Sequence, residues 1–98
     1  MEEIWIAYLE VLAFIDSSPT KAKLGFINVV ASAKDAEEAE TKVVAVLKEY
    51  EWQIIGVEDI SIADPARDYP EDLLDLVEDV TSNPSHIRLS TLYNYKPN

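Results

Sequence analysis

Residues Ile4 to Ile15 read IWIAYLEVLAFI, a run of β-branched and aromatic side chains with no Gly or Pro, which is strand composition. Two alternating sets can be traced along it, Trp5, Ala7, Leu9 and Val11 on one side and Ile4, Ile6, Tyr8 and Leu12 on the other, and both are largely apolar. A strand apolar on both faces lies inside a sheet, with something packed over each face. The rest of the chain must supply that cover.

Turn formers gather at Asp16-Ser17-Ser18-Pro19-Thr20-Lys21, and a second strand-like run follows from about Ala22 to Ala33, so a hairpin joining the two is expected. Gly25 within the second run suggests a bulge or a close approach of backbones. Asp35 then offers a helix N-cap with Glu38 three residues on, as in a capping box, and Glu37 and Glu38 sit where the helix dipole favours negative charge. Ala36, Ala39, Val43, Val46, Leu47 and Tyr50 recur at helical spacing, which predicts a helix from about Ala36 to Tyr50 with one buried stripe. A third strand is expected over Trp52 to Ala63, broken near Gly56. The stretch Asp64-Pro65-Ala66-Arg67-Asp68-Tyr69-Pro70 reads as a loop. Leu73, Leu76, Val77 and Val80 predict a second helix from about Pro70 to Thr81. After Ser82-Asn83-Pro84-Ser85, the alternation from His86 to Tyr95 reads as a last, half-buried strand.

With 98 residues the chain has room for one core and not for two. The fold class that follows is α+β: a single two-layer domain of ββαβαβ order, with a mostly antiparallel four-stranded sheet and two helices on one face. These are the parts of a ferredoxin-like layer without a helix between its first two strands. Trp5, Tyr8, Phe14, Phe26, Tyr93 and Tyr95 cannot all lie beneath two helices, so a second copy covering the open face, a homodimer, is the expected arrangement.

Eight Lys and Arg against nineteen Asp and Glu give a formal charge of -11 and a pI near 4.2. Such a surface repels phosphate backbones and anionic lipid and attracts a basic protein or a metal cation. Neither nucleic acid nor a membrane is an expected partner. The acidic N-terminus and an apolar run interrupted by Glu10 do not make a signal peptide, and no run approaches the roughly 20 apolar residues that span a bilayer. With no Cys either, a reducing cytoplasm is the expected compartment.

Catalytic patterns are missing from the sequence. There is one His, His86, and no nucleophile-elbow glycine surrounds any Ser; His86 reads as a surface residue at a strand start. Neither Gly25 nor Gly56 opens a helix as a phosphate cradle would. No DxDxDG loop is present, and zinc fingers and haem attachment are excluded with the cysteines. No catalytic residue, metal ligand or cofactor site is therefore assigned, and an enzyme is not expected.

Charge is unevenly spread. Nine of the nineteen acids lie between Glu58 and Asp79, with Arg67 the only base among them. Asp68, Asp72, Asp75 and Asp79 are spaced by 4, 3 and 4, which aligns them on one helical face if the helix starts early enough. Tyr69, an aromatic between carboxylates, suits recognition of Arg or Lys. The candidate partner-binding set is thus Asp64, Asp68, Tyr69, Glu71, Asp72, Asp75 and Asp79. The leading expectation is a non-enzymatic protein-binding module, in its most concrete form an inhibitor or immunity-type protein whose acidic loop and helix cover a basic site. The alternative is a homo-oligomeric small-molecule sensor or carrier that works through Trp5, Tyr8, Tyr93 and Tyr95 on the open sheet face.

Overall fold

A computed structural model describes residues 2–14, 22–64, 66–90 and 93–94. Strands β1 (Glu3–Phe14) and β2 (Ala22–Ala33) form a long antiparallel hairpin whose register runs unbroken from Glu3 opposite Ala33 to Phe14 opposite Ala22. The predicted turn Asp16 to Lys21 lies outside the described residues. Gly25 sits in regular register with Val11, so it marks no bulge in this pairing.

Helix α1 (Ala36–Glu49) starts where the capping signals place it. The Asp35 carboxylate accepts from the Glu38 N–H at 2.8 Å. The Glu38 side chain reaches back one residue further than in a strict capping box, accepting from the Lys34 N–H at 3.3 Å. At the other end Glu51, with φ 61°, turns the chain out of the helix. Its N–H donates to the Lys48 carbonyl and that of Trp52 to the Leu47 carbonyl, the paired closing bonds of a Schellman motif. Within the predicted stripe Ala39, Val43 and Leu47 are buried and Val46 is half-buried, whereas Ala36 and Tyr50 at the two ends are exposed.

Strand β3 (Gln53–Ile62) pairs antiparallel with β1, with register shifts opposite Tyr8/Leu9 and Glu10/Val11; the break expected near Gly56 is these two bulges. Helix α2 (Glu71–Ser82) follows. The predicted last strand is divided into β4 (Ile87–Leu89) and β5 (Tyr93–Asn94), both pairing with β2. The division begins at Ser90. Its N–H donates to the Asn28 carbonyl at 2.8 Å, but its side-chain hydroxyl, in place of a main-chain carbonyl, accepts from the Asn28 N–H at 2.9 Å. The sheet order is β3-β1-β2-β4, antiparallel throughout.

The four-stranded antiparallel sheet, the two helices and the ββαβαβ order are as the sequence predicts. The helices, however, do not share a face. Residues directly paired across strands point to the same side of a sheet, so Ala7, Leu9, Ile27 and Val29 occupy one face and Ile6 and Val30 the other. Val43 and Leu47 of α1 pack into the first set, and Leu73, Leu76 and Val80 of α2 into the second. Ala7, Leu9 and Val11 are thereby buried under α1 and Ile6 under α2, while Tyr8 and Leu12 on the α2 side are half-buried and Leu24, paired with Leu12, is 40% exposed. Three layers replace the expected two because two small cores, one on each side of β1 and β2, consume the strand that is apolar on both faces.

Candidate partner-binding surface

The loop before α2 is built around Tyr69. Ala63 extends the β3 ladder by donating its N–H to the Ile4 carbonyl at 2.8 Å. Asp64 then closes a turn: its carboxylate accepts from the Ala66 N–H at 2.9 Å and its carbonyl from the Arg67 N–H at 3.0 Å. The Asp64 N–H donates to the Tyr69 hydroxyl at 3.1 Å. That bond holds the half-buried ring against the α2 core cluster, with the Arg67 guanidinium 5.7 Å from its centroid. The cation over Tyr69 thus comes from its own loop.

Helix α2 begins at Glu71, after Pro70, so Asp68 lies in the loop and not on the helix. Leu73, Leu76 and Val80 are buried, while Glu71, Asp72, Asp75 and Glu78 are exposed. Glu71, Asp75 and Glu78, spaced by four and three residues, form the face opposite the buried one. No Lys or Arg stands on the helix to offset them, and like charges at this spacing repel. Glu78 was not in the sequence-derived set; the same spacing could have found it.

Asp79 is differently employed. Its Oδ2 lies 2.9 Å from Arg88 Nη1 and 3.0 Å from His86 Nδ1, fastening the end of α2 to β4. These hydrogen bonds, that with His86 first and that with Arg88 next, hold its carboxyl below the ordinary 3.8. Asp79 is therefore tied within the fold, and the exposed acidic set is Asp64, Asp68, Glu71, Asp72, Asp75 and Glu78. The single His is an exposed partner in this tie.

Beside the acids lies an apolar groove of about 370 Å3, lined by Glu3, Ile4, Ile62, Ala63, Asp64, Tyr69, Val77 and Thr81. Tyr69 is a shared wall: on its other side a more polar groove is lined by Ile6, Tyr8, Asn28, Asp59, Ser61, Arg67 and Leu73. Comparison with protein families, curated proteins and solved structures finds no match to this chain.

The aromatic set of the alternative reading is not gathered in one place. Tyr8 stacks on Phe26 at 5.2 Å on the α2 side of the sheet. Trp5, one position out of phase, belongs to the α1 side and donates its indole N–H to the Ala33 carbonyl at 3.0 Å. The Phe14 and Tyr93 side chains and all of Tyr95 lie outside the described residues. Among the described residues no group of three or more His, Cys, Asp and Glu could hold a metal ion. No described helix is long and apolar enough to cross a membrane.

Proposed function

We propose that the chain is a non-enzymatic protein-binding module that presents the loop before α2 and the outward face of α2 to a basic partner protein. The observation that carries this reading is the uncompensated row Glu71, Asp75 and Glu78, continued into the loop by Asp68 and Asp64, on a helix without one basic residue. Exposed carboxylates in such a row steer a cationic surface and fix its register. An inhibitor or immunity-type role, in which the acidic helix occupies a groove shaped for phosphate, is the form these features fit best.

The test separates the exposed acids from the structural one. A variant with Asp68→Asn, Glu71→Gln, Asp75→Asn and Glu78→Gln leaves the Asp79 tie intact. At low salt the native domain captures a basic protein that this variant does not, and moderate salt releases it. Equal capture by both forms would overturn the reading and reduce the charge to a solubilising role.

A further inference from the structure

The groove beside α2 is apolar, yet it opens among acids. Ile4 of β1 and Ala63, whose N–H donates to the Ile4 carbonyl, line it on the sheet side and are half-buried. Val77 and Thr81 face it from α2, and Leu74, 40% exposed, lies one turn before Val77 on the same flank of the helix. An apolar concavity walled by half-buried Ile4, Ala63 and Val77 is what a binding pocket offers and what a solvated helix flank does not need. Carboxylates frame them: Glu3 and Asp64 line the groove, and Glu78 stands between Leu74 and Thr81 on the helix. Between Lys48 and His86 the only basic residue is Arg67, and its guanidinium is placed over the Tyr69 ring.

We propose that this groove takes one large aliphatic or aromatic side chain projecting from a Lys- and Arg-rich segment of a partner protein. The inference rests on the basic-partner reading above and adds the anchor to it. Charge complementarity names the occupant: a second copy of a chain with net charge -11 would bring acids against acids at this rim, whereas basic residues flanking an apolar one would meet Glu3, Asp64 and Glu78. The apolar side chain supplies the desolvated centre of the contact and the ion pairs its rim.

Two acetylated probe peptides test this, both rich in lysine and arginine and identical except for a central leucine in one and alanine in the other. At about 20 mM salt, where screening is weak, the leucine peptide is expected to bind the native domain at least about tenfold more tightly than the alanine peptide, the scale of burying one such side chain. Thr81→Trp, at an exposed position on the groove wall, fills the groove and brings that ratio close to one, and Thr81→Ser keeps it. Combined Glu71→Gln and Asp75→Asn weakens both peptides by the same factor and leaves the ratio unchanged. Equal, salt-sensitive binding of the two peptides to the native domain overturns the anchor while the acidic surface stands. Failure of both peptides to bind overturns both. Self-association by light scattering that Thr81→Trp abolishes assigns the groove to a second copy and also overturns the proposal.

Discussion

Asp79 near the end of α2 and Arg88 on β4 meet at 2.9 Å, and the same carboxylate oxygen lies 3.0 Å from the His86 ring. An acid in the last turn of a helix opposes the helix dipole, and no base on α2 relieves it. The two side chains from the following segment do so instead. They join the helix covering one sheet face to the strand at the sheet's edge.

A pH dependence follows from this tie. A carboxyl whose pKa is lower in the folded than in the unfolded chain stabilises the fold above the unfolded value and loses that contribution as pH falls through the folded one. Asp79 is lowered from 3.8, chiefly by its hydrogen bonds with His86 and Arg88. Asp79→Asn is therefore expected to reduce the urea midpoint at neutral pH. The gap between variant and native should close as pH falls below the ordinary carboxylate value. A gap of the same size at about pH 2 would show that the loss comes from packing and not from charge.

The opposed helices make a second prediction. Val43 under α1 and Val80 under α2 are both fully buried, but in different clusters on opposite sides of the sheet. Each change to alanine should cost about 2 kcal/mol, the scale of removing buried methyl groups and leaving a small cavity. With no shared neighbours their effects should add to within about 0.5 kcal/mol. Helices side by side over one core would share partners, and a coupling well above about 1 kcal/mol in urea titrations of the double mutant would contradict the three-layer arrangement.

That arrangement was partly legible in the chain. The double apolar pattern of β1 requires cover on both faces, and the bounds of β2 and the start of α1 follow directly from turn residues and the Asp35 cap. What periodicity does not carry is the side of the sheet to which each helix crosses, because Leu73, Leu76 and Val80 make a stripe equally suited to either face. The site divides in the same way. Acidic spacing marked Asp75 and Asp79 alike, but only the fold shows that Asp79 is turned toward Arg88 while Asp75 is exposed. The groove had no sequence signature, since Ile4, Ala63 and Val77 come from three separate stretches of the chain and each alone reads as ordinary core.

Two changes involving glycine, made in opposite directions, probe the connection and strand that follow α1. Glu51 adopts φ 61°, a left-handed conformation that an L side chain adopts at a cost and glycine adopts freely. Glu51→Gly should keep the bonds to Lys48 and Leu47 that close the helix and raise stability by about 1 kcal/mol. Gly56 is the reverse case. Its φ is not positive, and a Cβ built there meets nothing within 4 Å, so the freedom of glycine serves no purpose in the folded strand. Gly56→Ala removes conformations from the unfolded chain without straining the folded one and should stabilise by about 0.5 kcal/mol. Both variants should shift the urea midpoint upward with an unchanged slope. A downward shift for Gly56→Ala would mean that the bulged edge of β3 has closer neighbours than the open space beside Gly56 indicates. A downward shift for Glu51→Gly would mean that the Glu51 side chain holds the turn more strongly than its backbone strains it.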